Sequence, residues 1–438
     1  MCLLMRRWCP LRRRAQQSGA RARAQAWVTL GAWVAMVLMV LAVQLASARP
    51  DDCALPLDPH GPSFNGLEGE RCITWAAVEA AWAAGREKAG LRRPLKEAEG
   101  SGGPPLARAL LGTALQEATR LLSERYGLSR EEVRELLPRV DTRRTRVRDF
   151  CPAALASDQP CAVARFRRYD GRCNNLRHPT WGSAGAPFRR MAPPEYADGV
   201  SAPRASRAGF PLPNPRAVSA HVHRDGEHHE SAVTLMFVAW GQLVDHDITL
   251  TAETKDPETR TDPECCGPGT ERRHPNCLPV LIPPGDAFYR RHGQTCMNVL
   301  RSLAGAREDC RLGPRAQFNQ MTSFIDAGFL YGSSEAEARR LRAGRGGRLQ
   351  MQDAFGPLGL KELLPFKRDF PDEGCLRADR RRGPLCFLAG DNRANEQLVL
   401  TALHTALARE HNRLAEGLAH VNPHWGDERI FQVGHYFS

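Results

Sequence analysis

The stretch whose reading decides the fold is WGQLVDHD, Trp240 to Asp247. It closes an apolar run containing Val233, Leu235, Met236, Phe237 and Val238. The pattern predicts a helix over 231–246 that is apolar first and polar at its end. On that helix Gln242, Asp245 and His246 stand at i, i+3 and i+4 and share one face. Asp247 lies about 100° further round. An imidazole beside two carboxylates is equipped for general acid–base work or for metal binding. A polar helix end with its charges in solvent has the same spacing.

Two further stretches extend this reading. In DNRANEQ, Asp391 to Gln397, Arg393, Glu396 and Gln397 repeat the i, i+3, i+4 arrangement. Arg393 is suited to stabilising a developing anion, and Glu396 is placed like Asp245. An ordinary helix start capped by Asn392 or Asn395, with Glu396 favouring the dipole, reads the same way. In TSFIDAG, Thr322 to Gly328, oxygen donors at alternate residues (Thr322, the Phe324 carbonyl, Asp326) suit a hard cation such as calcium, with Asp247 as a second acid. A plain strand or turn is the alternative. His221, His223, His228 and His229 read as a metal cluster or a solvated loop. Arg409–Arg413, REHNR, reads as a charged helix face with an Asn or Arg tucked against a neighbour.

Around these stretches, the 438 residues hold 61 Lys+Arg against 49 Asp+Glu and are 42% hydrophobic. That composition excludes wholesale disorder and a multi-span membrane protein. Seven of the arginines precede residue 49 with no acid among them, so the remainder is only modestly basic. No nucleic-acid partner is expected, since that needs a clustered basic face. The Arg-rich flank leads into an apolar run, Ala26–Leu45, and then Ala46-Ser47-Ala48. This predicts a secretory signal peptide over residues 1–48, with an uncleaved type II signal anchor as the alternative. Both readings place the rest of the chain outside the cytosol, and membrane contact is expected only through such an anchor.

Cysteine usage agrees with that compartment. Of 14 Cys, Cys2 and Cys9 lie in the targeting segment, leaving an even number for disulfides. Spacing suggests the small loops Cys151–Cys161 and Cys375–Cys386. Cys265, Cys266, Cys277, Cys296 and Cys310 form a denser cluster whose pairing stays open. The absence of any CxxC argues against zinc.

Helices are expected over 76–90 and 107–125, the second with Leu110, Leu111, Leu115, Ala118, Leu121 and Leu122 on one stripe. Ser129 with Glu132 forms a capping box for a short helix ending near Pro138. The five arginines of Arg139–Arg148 mark a processing site or a solvated linker. Helical signals return at 231–246, 332–343 and 394–418. The expectation is a mainly α chain with long loops stapled by disulfides. It divides into the targeting segment 1–48, an N-terminal helical, pro-like region 49–150, and a domain from 151 to 438.

Taken in order, YDGRCNNLRHPTWG (169–182), PPEYADGV (193–200), WGQLVDHD, LIPPGD (281–286), MTSFIDAGFLYGSS (321–334), LLPF (363–366), CFLAGDNRANEQ (386–397), LHTALAREHNRLA (403–415) and VNPHWGDE (421–428) resemble the animal-type haem peroxidases. The resemblance runs from about Tyr169 to Gln432, and its tone is closest to secreted invertebrate members such as chorion peroxidases and peroxinectins. It implies the N-terminal part of that helical fold and a haem-dependent peroxidase that uses hydrogen peroxide to oxidise halides, phenols or tyrosyl groups.

Residue by residue, the resemblance makes His246 the distal acid–base, Arg393 the group that stabilises O–O cleavage, and Gln242 the group that orients water or halide. Asp245 and Glu396 become the carboxylates ester-linked to haem b. Gln397 stands where one family member links a methionine to haem, so no sulfonium link is expected. Asp247, Thr322, Phe324 and Asp326 become calcium ligands, with Gly328 in place of the usual serine. The family's proximal histidine falls further downstream than Ser438, and His435 lies outside any matching motif. The resemblance therefore implies a domain incomplete at its C-terminus, without the proximal ligand and with apolar surface exposed. A catalytically inactive short form acting as an extracellular binding or adhesion protein is the alternative. Oligomeric state stays open.

Overall fold

The computed structural model describes residues 52–57, 72–94, 105–162, 164–223, 226, 229–256, 261–267, 274–367 and 386–437. The expected signal or anchor segment, His228 and Cys375 lie outside them. Residues 54–438 form one compact unit. It is mainly helical, as expected, and its sheets are minimal.

Strands β1 (Cys53–Pro56) and β2 (Cys72–Thr74) form a two-stranded sheet. Thr74 turns β2 into α1 (Trp75–Ala89) by accepting the Ala77 N–H at 3.2 Å, which satisfies an otherwise unpaired donor of the first turn. Helix α2 (Pro105–Tyr126) packs along α1. The approach is so close at Gly85 that a Cβ there would collide with the Ala114 carbonyl. Leu111, Leu115, Ala118 and Leu122 of the expected stripe are buried with Ile73, Val78 and Trp82, while Leu110 and Leu121 pack at its margin. Burying that stripe, at about 25 cal/mol per Å² of apolar surface, is what holds the helix pair together.

Helix α3 (Arg130–Glu135) starts on the expected Ser129–Glu132 capping box. The Arg139–Arg148 stretch is not a free linker. It folds into 3-10 turns that bury Val140, Thr142 and Val147, because its alternate apolar residues face the α1–α2 core. The same core takes in Val200, Ala306, Cys310 and Leu312.

The disulfides correct one expectation. Cys151 pairs with Cys310 across a separation of 159 residues, and Cys161 pairs with Cys173. The loop Cys151–Cys161 is therefore not formed. Chain spacing counts residues, whereas pairing needs Cα atoms within reach, and these are 5.8 Å apart for Cys151 and Cys310. Within the dense cluster, Cys265 pairs with Cys277 and Cys266 with Cys296. Cys386 is disulfide-bonded; its expected partner Cys375 falls outside the described residues.

The second half is built on α4 (Pro215–Val222), α5 (Leu235–Ile248), the antiparallel pair β3 (Val280–Leu281) and β4 (Cys296–Met297), α6 (Gly328–Tyr331), α7 (Glu335–Leu341), α8 (Leu398–Val421) and α9 (Asp427–Phe437). Leu243 of α5, Phe329 to Tyr331 of α6, Leu341 of α7, Leu400 and Ala408 of α8 and Phe431 of α9 make a second core. This core sets α5 against α8. The N-terminal part of α5 is left bare all round: Leu235, Met236, Phe237, Val238 and Trp240 are all exposed. Among the described residues, no helix is long and apolar enough to cross a membrane.

Candidate active site

The two stretches 150 residues apart meet at the C-terminal end of α5. DNRANEQ does not run straight into a helix, as its spacing suggests. Asp391 caps a 3-10 turn, Asn392–Asn395, and α8 begins only at Leu398 with Gln397 as its N-cap. Asn395, one of the expected caps, instead pairs with the backbone of Phe387 in both directions, at 2.7 and 2.8 Å. The turn aims Arg393 at α5. Its Nη2 donates to the carbonyls of His246 (3.3 Å) and Thr249 (2.9 Å). These lie at the helix end, where carbonyls lack intrahelical partners and a cation is favoured.

Asp391 holds Arg393 in that pose. Its carboxylate accepts from Nε at 3.1 Å and from Nη2 at 2.6 Å, and it is wholly shielded from solvent. Nη1 has no partner among the described residues. The guanidinium is thus fixed on one edge and free to donate from the other.

His246 is 3% exposed. Its Nε2 lies 3.8 Å from the Glu396 carboxylate, and its buried Nδ1 has no hydrogen-bond partner among the described residues. Burial first, and then the Arg393 cation, push its pKa down to about 4. The imidazole is therefore neutral at neutral pH, as a proton acceptor must be. Gln242 ties the two segments together. Its Nε2 donates to Glu396 and its Oε1 accepts from Gln397 Nε2, both at 2.9 Å. Burial raises the Glu396 pKa. Asp245 is exposed at the outer edge of the helix. His246, Arg393, Gln242, Glu396 and Asp245 thus lie at one place, with His246 and Asp245 on different sides of the helix surface, one inward and one open.

Asp247 turns the other way, as its position round the helix requires. It is 2% exposed and accepts the Ala327 N–H at 3.1 Å through Oδ2, while Oδ1 is buried with no partner among the described residues. Asp326 accepts from the Thr322 hydroxyl at 2.9 Å and from the Gly328 N–H at 3.2 Å. Ala327 adopts φ 55° to bring these groups round, a conformation that costs a residue with a Cβ about 1 kcal/mol or more. Burial pushes Asp247 up to about 6, and burial also raises Asp326. An orphaned carboxylate oxygen beside a second, half-buried carboxylate and a hydroxyl is an all-oxygen donor set that fits a hard cation. Among the described residues no three His, Cys, Asp or Glu converge as metal ligands, so the site rests on two acids. His221, His223 and His229 are exposed.

Two residues go beyond the sequence reading. Asp391 is the anchor of Arg393; an acid two residues before the arginine was its only signal. His404 of α8 is fully buried, and its Nδ1 donates to the Leu400 carbonyl at 2.8 Å, leaving Nε2 buried with no partner among the described residues. Within REHNR, Asn412 is tucked against the Leu349 backbone at 2.8 and 3.1 Å, in accord with the expectation. His411 is not on a charged face but buried between Tyr331 and the Gly347 carbonyl, at 2.9 Å from each. His435 lies with Nε2 2.8 Å from the Asp326 carbonyl and its ring on Tyr331.

A family model described as animal haem peroxidase matches residues 166–435. Chorion peroxidase of Aedes aegypti is 40% identical over 285 residues, covering 62% of this chain and 34% of that protein. Human myeloperoxidase is 38% identical over 278 residues, covering 61% of this chain and 37% of that protein. Among solved structures, peroxidase A from Dictyostelium discoideum matches with a TM-score of 0.47 at 29% identity, over 62% of this chain and 50% of that one. The chain spans about a third of the length of these curated relatives.

Proposed function

Because this chain belongs to the animal haem peroxidase family, we propose that the cluster around His246 is the peroxide-handling half of a haem peroxidase, oxidising small donors such as halide, phenol or tyrosyl groups. The observation that carries the reading is the Arg393 side chain bonded to the His246 carbonyl, which brings an imidazole and a guanidinium from distant segments to one spot. Bound haem would supply the redox chemistry.

The neutral His246 accepts a proton from hydrogen peroxide and returns it to the departing oxygen. Arg393, locked by Asp391, offers its free Nη1 edge to the charge that develops as the O–O bond breaks, with no side-chain reorganisation required. Gln242 orients water or a halide and keeps Glu396 in place. Glu396 and the exposed Asp245, one from each segment, would hold the macrocycle through ester links at two edges. Asp247, Thr322, the Phe324 carbonyl and Asp326 would hold calcium, and that cation would pin the residue next to His246. The disulfides suit an oxidising compartment, and secretion is the localisation we propose.

The test is to titrate the purified full chain with haemin and to follow a Soret band together with hydrogen-peroxide-dependent oxidation of a phenol. A saturable Soret band with activity lost in His246→Gln supports the reading. Absence of haem binding overturns it and leaves an extracellular binding protein.

A further inference from the structure

A cavity of about 580 Å³ lies away from His246, bounded by the 181–194 and 307–316 segments and the end of α3. It shares no residue with the site described above. Five arginines line it, Arg134, Arg189, Arg190, Arg307 and Arg311, against the acids Glu135 and Glu308. Two of the five have carboxylates of their own: Arg134 pairs with Glu135 at 2.9 Å and Arg311 with Asp309 at 3.1 Å. Glu308 is bonded to the Thr180 hydroxyl.

The other three have no carboxylate partner among the described residues. Arg190 donates to the Tyr196 hydroxyl at 3.1 Å and the Gln317 side-chain oxygen at 3.0 Å. Arg307 reaches the Pro314 carbonyl, at 3.4 Å, and no other acceptor among the described residues. Arg189 lies 4.1 Å over the Trp181 ring, and Trp181 is stacked on His178 at 3.7 Å. Burial, and then the charges of Arg311 and Arg190, lower the Arg307 pKa. Each cation thus raises the cost of its neighbours, and an anion placed among them removes that cost.

We infer that this cavity binds an oligoanion carrying two or more sulfate or phosphate ester groups. Guanidinium forks match such oxyanions in a bidentate way. Three forks without a carboxylate, offset by the Glu308 carboxylate on the same wall, leave two positive charges spread over separate side chains, which two ester groups on one molecule match. The volume lies within the range of roughly 300–1,000 Å³ that small-molecule sites occupy. Trp181 already has His178 and Arg189 against it, so recognition rests on charge rather than on stacking an aromatic ligand.

The test is calorimetric titration of the full chain at about 0.15 M salt, where loose surface attraction is screened. The probes are sucrose octasulfate, inositol hexakisphosphate and inorganic sulfate. One equivalent of at least one ester is expected to bind saturably and more tightly than inorganic sulfate, and the preferred ester tells a sulfated sugar from a phosphate source. Arg307→Met is expected to weaken that binding about tenfold or more, the scale of one lost charge-assisted pair. Arg345→Gln, an exposed arginine outside the cavity, is expected to leave it unchanged. If Arg307→Met does not fold, the combined variant Arg189→Gln/Arg190→Gln, at exposed positions, carries the same expectation. The inference fails if neither ester binds saturably, if inorganic sulfate binds as tightly as the esters, or if the cavity variants bind as tightly as Arg345→Gln.

Discussion

His246 and Arg393 depend on neighbours as much as on their own chemistry. Arg393 without Asp391 would be a half-buried cation free to swing, and Asp391 without Arg393 would be a buried anion with no counter-charge. Asp391→Asn is therefore expected to lower peroxidase turnover at least tenfold and to cost about 3 kcal/mol of stability, the scale for breaking one side of a buried pair. Steady-state kinetics of haem-loaded protein and urea unfolding check the two effects separately. His246→Gln is expected to lower turnover by about 10²–10⁴ with little change in unfolding, because it removes a proton acceptor rather than a packing group; turnover within a factor of three of the parent would exclude the assigned role. At this scale the sequence was informative about residue types. It was less so about orientation: His246 and Asp245 were expected on one face, yet one is buried and the other exposed.

Elements show where periodicity suffices and where it does not. The α1–α2 pair follows from its stripe, but the closeness of its packing depends on Gly85 facing the Ala114 carbonyl. Gly85→Ala is expected to cost about 1–3 kcal/mol by overpacking. Gly417 of α8 faces open space, so Gly417→Ala is expected to stabilise by about 0.5–1 kcal/mol through helix propensity alone. Thermal unfolding of the two variants should move in opposite directions. Further along α8, burial holds the His411 pKa down to about 4 against an ordinary 6.5. An unfolded chain takes this proton first, so the stability from His411 is intact above about pH 6.5 and is lost progressively as pH falls toward 4, by up to about 3 kcal/mol. His411→Gln is expected to flatten that acid limb in urea unfolding at stepped pH; an unchanged slope would remove His411 from the account.

For the molecule as a whole, the bond from Cys151 to Cys310 fastens the N-terminal helices to the segment that follows β4. It closes a loop of 159 residues, for which chain entropy predicts about 5 kcal/mol of stabilisation. The double variant Cys151→Ala/Cys310→Ala is expected to lose roughly that amount in denaturant unfolding. Cys161 and Cys173 are only 12 residues apart, and removing that pair is expected to cost less. The Arg139–Arg148 stretch belongs to this scale too. Its charges suggest solvent, but Val140 and Val147 take it into the core that α1 and α2 build.

By itself, the sequence determined the α1–α2 stripe, the Ser129–Glu132 cap and the candidate site residues, because these follow from local periodicity, capping chemistry and short ordered motifs. Only the tertiary structure decided which cysteines pair, how Arg393 is aimed at the end of α5, which end of α5 is left bare and where five arginines converge. Those outcomes depend on contacts between residues well apart in the chain, and beyond a few helical turns separation along a chain says little about separation in space.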